Sequence, residues 1–147
     1  MAMTSPHRSP WQILCAVALI VGIEAVVAMP RITEAIKDYR LDSAAMELGQ
    51  DLRKAQFMAI KERQTIRVVF DYNSYKVIRA SIGEVILSRY LSIDYPELGL
   101  VMTESRGDIL FERTGSVEGG SKEIEIIGPT GKRTITILAT GRISGPS

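Results

Sequence analysis

The chain has 147 residues, 46% apolar and 24% charged, with 18 Lys and Arg set against 17 Asp and Glu for a net charge of +1. That balance provides no global field to gather nucleic acid, and once an apolar N-terminal stretch is set aside about a hundred residues remain for one folded body. The single histidine, His7, and the single cysteine, Cys15, both stand near the N-terminus, so the body lacks the commonest general base, a thiolate cluster and a disulfide framework. No catalytic, metal-binding or cofactor-binding residue is assigned, and no small-molecule substrate is expected.

In chain order, residues 1–12 form a short polar tail carrying Arg8 and Trp11. Residues 13–30 follow as a transmembrane anchor, ILCAVALIVGIEAVVAMP, apolar except for Glu24. Its length is at the short end of what crosses a bilayer. A secretory signal is the competing reading, with Val26 and Ala28 as the small residues before a cut ahead of Met29. The helical pattern that continues past Pro30 favours a retained anchor. Arg8 on one side and Arg31, Lys37 and Arg40 on the other leave the orientation undecided by charge. Ala16, Ala18 and Gly22 would let neighbouring helices approach closely, and Glu24 is either an intramembrane carboxylate in use or a group reaching the headgroups. Pro30 removes a backbone donor and predicts a kink.

Residues 31–64 read as an amphipathic helix, with Leu41, Ala45, Leu48, Leu52, Ala55 and Ala59 recurring every three or four residues as its inner face. Glu47, Asp51, Arg53, Lys54, Lys61, Glu62 and Arg63 are placed mostly elsewhere, towards water or a neighbouring subunit. Anchor and amphipathic segment together predict one helix of about fifty residues, some 75 to 80 Å at ~1.5 Å per residue.

From Thr65 the period changes to two, and residues 65–147 read as an antiparallel β domain. TIRVVFD and YKVIRA form a hairpin across Asn73 and Ser74, and VILSRYL, LGLVMT and DILF read as further short strands. The alternation of Ile124 and Ile126 with Glu123 and Glu125, the GPTG turn, and Ile135 and Ile137 among threonines predict a second hairpin.

This order of elements, with GIEAVVAMP ending the anchor, LRKAQFMAIKERQTIRVVF ending the helix, Phe111 four residues before Gly115, and a terminal Gly141-Arg142-Ile143, resembles the type IV pilin-like proteins. The likeness is narrower to the minor pseudopilin H of type II secretion systems and the minor pilin T of type IV pili. It implies an α+β, pilin-like fold: a long N-terminal helix, its first half transmembrane, packed on an antiparallel β-sheet domain. It implies a non-catalytic subunit of a secretion or pilus filament, contributing to initiation or to the tip, in the bacterial inner membrane with its C-terminal domain periplasmic or in the filament. Its partners would be other pilin-like subunits and an inner-membrane assembly platform. Counting back from Pro30 puts the family's leader cleavage between Arg8 and Ser9 and its glutamate at Ile13. These residue types depart from the family's start, which puts processing and N-methylation in question.

The resemblance also implies an alternative, a DNA-binding minor pilin for DNA uptake, with Lys132, Arg133 and Arg142 as the contacting cations. A solvated turn is the plainer reading of those three. A secreted or periplasmic binding module with a cleaved signal remains a further alternative. Asp94 and Glu97 are too few oxygen ligands for calcium and read as loop charges, and Tyr72, Tyr75, Tyr90 and Tyr95 read as core or sheet surface rather than a binding patch.

Overall fold

The structure is a computed structural model that describes residues 10–102 and 108–146, with side chains at 11, 31–100 and 108–146. The chain divides into two compact units, Met1–Ile36 and Lys37–Ser147. Helix α1, Pro10–Glu62, contributes to both and is unbroken through Pro30. The anchor expected at 13–30 falls on the part of α1 whose side chains lie outside the described residues. Among the described residues, no helix is long and apolar enough to cross a membrane.

In the second unit the inner face of α1 is as the spacing predicts: Leu41, Ala45, Leu48, Leu52, Ala55 and Ala59, joined by Ala44, are all buried. The helix ends in a Schellman turn. Arg63 adopts the left-handed conformation with φ 52°, and the Gln64 N–H reaches back to the Ala59 carbonyl at 3.2 Å, satisfying one of the carbonyls that a helix end leaves unpaired.

Among the described residues seven strands follow: β1 (Ile66–Asp71), β2 (Ser74–Arg79), β3 (Val85–Tyr90), β4 (Gly99–Met102), β5 (Asp108–Phe111), β6 (Lys122–Gly128) and β7 (Gly131–Ile137), with a one-turn helix α2 (Leu91–Asp94) between β3 and β4. They form two antiparallel sheets, ordered β3-β2-β1-β5 and β4-β6-β7, where the sequence suggested a single β domain without dividing it. Both expected hairpins are present, with Phe70 opposite Tyr75 in the first and Gly128 opposite Gly131 in the second. One strand expectation is corrected at its end: Leu91 does not continue β3 but opens α2, its side chain turned into the core.

Among the described residues one hydrophobic cluster joins both sheets to the helix. It takes Ile66 and Val68 from β1, Val77 from β2, Ile109 and Phe111 from β5, Ile124 and Ile126 from β6, and Ile135 and Ile137 from β7. The alternation seen in the sequence is therefore the alternation between core and solvent faces of each strand.

Candidate assembly surface and the contacts that shape it

Among the contacts that hold the helix to the sheets, two differ in kind. The first is steric. The Gln56 side chain donates through Nε2 to the carbonyls of Gly115, at 2.8 Å, and Gly141, at 2.9 Å. Both glycines have positive φ, 84° and 86°, a conformation that side-chain-bearing residues adopt only at a cost. A Cβ on Gly141 would lie 1.9 Å from the Gly115 carbonyl oxygen, and one on Gly115 would lie 2.7 Å from Ile60 Cδ1. The Phe-x-x-x-Gly and Gly-Arg-Ile patterns thus mark where two loops close on the end of α1, with backbone blocking a side chain at Gly141 and only the end of Ile60 in the way at Gly115, while Phe111 is fully buried.

The second set is electrostatic and corrects the placement of Asp51. Rather than facing away from the core, Asp51 is 1% exposed. Its carboxylate accepts from the Tyr75 hydroxyl at 2.8 Å, Lys54 Nζ at 2.9 Å and Arg89 Nε at 3.3 Å, and Arg89 also pairs with Glu47 at 2.8 Å. Burial, and then the Asp51 carboxylate, push the Tyr75 hydroxyl far above its usual range. Burial opposes the Arg89 charge, but Glu47 and Asp51 outweigh it and its pKa is raised. The signal for Asp51 was its place three residues after Leu48 and four before Ala55, inside the buried stripe.

The expected DNA contacts sit differently from one another. Lys132 and Arg133 belong to β7 rather than to a solvated turn. Lys132 Nζ pairs with Glu125 at 2.6 Å. Arg133 bridges two helical carboxylates, Asp42 at 2.6 Å and Asp38 at 2.9 Å, and Asp42, then Asp38, hold its pKa above the usual arginine value. Arg142 is exposed. Two of the three cations are therefore engaged with carboxylates of the chain itself. Tyr75 is core, whereas Tyr72 and Tyr90 are exposed. Asp94 and Glu97 are exposed as well, and among the described residues no three His, Cys, Asp or Glu side chains come together to hold a metal ion. Of the remaining sequence-predicted positions, Ala16, Ala18, Gly22, Glu24 and Pro30 lie on α1 where side chains are not described, and Arg8 and Ser9 lie outside the described residues.

A groove where α1 meets β3 and α2, lined by Glu47, Tyr75, Arg89 and Tyr95 among others, encloses about 10 Å³, room for one water and not for an organic substrate. Among the described residues, exposed apolar side chains also line the side of α1 turned away from its core face. Tyr39, Met46 and Phe57 are exposed there, and Ile60, half-exposed, lies at the edge of that side against Gly115. Their numbers fall on one series of alternating three- and four-residue steps, 39, 43, 46, 50, 53, 57 and 60, with Ser43, Gln50 and Arg53 between. In the first unit, Ile32 and Ile36 are exposed and keep the same count in sequence. This is the a/d spacing that seats one helix against another.

A long helix with an apolar seam turned outward, fixed by its other face to antiparallel sheets, is the fold of pilin-type subunits. The structure resembles the type IV minor pilin FimU of Pseudomonas aeruginosa, with a TM-score of 0.64 and 18% identity over 74% of this chain and 89% of that one. It also resembles the minor pseudopilin EpsH from the type II secretion system of Vibrio cholerae, with a TM-score of 0.60 and 15% identity over 76% of this chain and 97% of that one. No curated protein matches the chain in sequence. The model of the type II transport protein GspH family matches residues 44–141. The chain belongs to the GspH family, whose members are pilin-like structural subunits.

Proposed function

We propose that this chain is a minor subunit that helps to initiate or tip a pilin-type filament, held in the inner membrane by residues 13–30 as a single pass and served by an inner-membrane assembly platform. Family membership supports a subunit that associates with other pilin-like subunits. The observation that carries the reading is the outward seam of Tyr39, Met46 and Phe57 at helix-pairing spacing, because exposed apolar groups turned away from a satisfied core face are suited to being covered by a second helix. In the anchor, Ala16, Ala18 and Gly22 would allow that close approach to continue within lipid, and Glu24 would sit at or near its outer end.

The test is a charge placed in the seam. Phe57→Glu in the full chain, expressed with the other pilin-like subunits of its system, should abolish cross-linking to them and leave the thermal midpoint unchanged, since Phe57 is outside the core. Undiminished cross-linking would sink the reading. Sequencing the N-terminus of membrane-recovered protein separates the anchors. A start at Met1 means an unprocessed span and one at Ser9 means leader cleavage, whereas a start near Met29 means a removed signal and overturns the membrane placement.

A further inference from the structure

Four of the chain's five tyrosines gather at one end of the second unit. The contacts along α1 show which end. Arg79 of β2 pairs with Glu62, Tyr75 reaches Asp51, Arg89 of β3 reaches Glu47, and a Cβ on Gly128 would meet Leu41. The β1–β2 turn, α2 and the β6–β7 turn therefore lie towards Lys37, where α1 enters the unit. They are tied together there: the Tyr72 carbonyl accepts from the Leu100 N–H at 2.8 Å and the Asn73 carbonyl from the Leu91 N–H at 2.8 Å. Tyr95 and Pro129 close a small notch with Lys37 and Arg40. Tyr39, Tyr72 and Tyr90 are exposed at this end, Tyr95 is half-buried, and Ile93 of α2 is 75% exposed. Only Tyr75 is drawn into the core.

A tyrosine joins an apolar body to a polar tip, and such side chains collect where hydrocarbon meets water. The other end of the unit, at the β2–β3 turn and the 112–121 and 138–142 loops, has neither tyrosine nor tryptophan. Charge at the tyrosine end nearly cancels, because Lys37 and Arg40 share their notch with Glu97, and Asp71 and Asp94 are exposed close by. An anionic partner is therefore not selected. The long stems of Lys37 and Arg40 can instead lie along apolar material with their heads in water. The proposed anchor ends at Pro30, seven residues before Lys37 and at most about 25 Å of extended chain away. A bilayer that holds residues 13–30 is within reach of this end whatever path the chain takes. Trp11, the single tryptophan, stands just before residue 13, so amphipathic aromatics flank the anchor on both sides in sequence.

We propose that the tyrosine end of the second unit rests in the interfacial layer of the bilayer, with Tyr72, Tyr90, Tyr95 and Ile93 among the lipid headgroups. The partner is a lipid surface of either neutral or negative headgroups, held by burial of aromatic and aliphatic area and not by counter-ions. This second membrane contact rests on the reading of residues 13–30 as an anchor. Met46 and Phe57 take no part in it, so a subunit resting on lipid keeps that stretch of the seam for its neighbours.

The test is tryptophan fluorescence of the full chain in phosphatidylcholine vesicles, on a Trp11→Phe background with one tryptophan placed at a time. Lipid brominated high on its acyl chains quenches a tryptophan at the interface, and iodide quenches one in water. Ile93→Trp should lose about twofold or more of its emission to the brominated lipid and be shielded from iodide. Ile82→Trp, similarly exposed but at the other end, should show the reverse. Leu19→Trp, with lipid brominated deep in the chain, reports the anchor by itself. Ile93→Glu leaves the core untouched and should cut the lipid quenching of Tyr72→Trp by about twofold or more. Adding phosphatidylglycerol, or raising salt about tenfold, should leave the Ile93→Trp signal within about twofold. Quenching at Leu19→Trp with Ile93→Trp open to iodide overturns this inference and leaves the anchor standing. No quenching at Leu19→Trp overturns the anchor and this inference with it. Lipid quenching of Ile82→Trp equal to that of Ile93→Trp, a Tyr72→Trp signal indifferent to Ile93→Glu, or an Ile93→Trp signal that needs anionic lipid and vanishes with salt also overturns it.

Discussion

Two of the attachments of α1 to the sheets do the same job by opposite means. At Gln56 the helix meets two glycine carbonyls, and the contact depends on what is missing, a Cβ at Gly115 and at Gly141. At Asp51 it meets Tyr75 and Arg89, and the contact depends on what is present, a buried carboxylate answered by a hydroxyl and two cations. The steric attachment cannot relax, because the obstruction at Gly141 is backbone. The electrostatic one can rearrange, because Arg89 and Lys54 are long side chains with water at their ends.

That contrast sets the order of expected effects. Gly141→Ala should be the most damaging, at about 4 kcal/mol or more, since the new methyl overlaps the Gly115 carbonyl in a conformation already strained for alanine. Gly115→Ala should cost distinctly less, because the flexible end of Ile60 can move aside. Urea unfolding of the pair measures the gap, and equal losses would show that the Gly141 site yields after all. Asp51→Ala should cost about 3 kcal/mol by the same measurement, the penalty of leaving a buried hydroxyl and a half-buried guanidinium without their partner.

Alkaline pH probes the electrostatic attachment alone. The Tyr75 pKa is raised in the folded state, so its contribution is intact below the ordinary tyrosine value of 10.0 and is lost as pH climbs above it. Tyr75→Phe should flatten that decline in a pH series of thermal midpoints, whereas Gly115→Ala should not. The smallest effect is expected where α1 ends. Arg63→Gly relieves a left-handed residue without touching either attachment and should add about 1 kcal/mol.

How much of this was legible depended on whether a feature is written locally. The core stripe from Leu41 to Ala59 and the alternation in β6 and β7 follow from spacing alone, and both are realised. The division into two sheets is not local: β1 pairs with β5 rather than β4, and no period in either strand specifies that choice. Asp51 was misplaced because its partners arrive from 24 and 38 residues further on, although its position within the apolar stripe hinted at them. Arg133 reads as one of a basic cluster until Asp38 and Asp42, over 90 residues earlier, come beside it. The glycines, by contrast, were visible as a pattern while their reason, a carbonyl at each side of one glutamine, was not.

The Gln56 amide ties residues separated by 85 positions, so the last loop to close is anchored on one of the first elements to emerge. Loops of that span close late and slowly. During synthesis the apolar face of α1 must wait, uncovered, until the segment around Gly141 is available. The order of synthesis therefore leaves the core face of α1 uncovered until nearly the whole chain has been made.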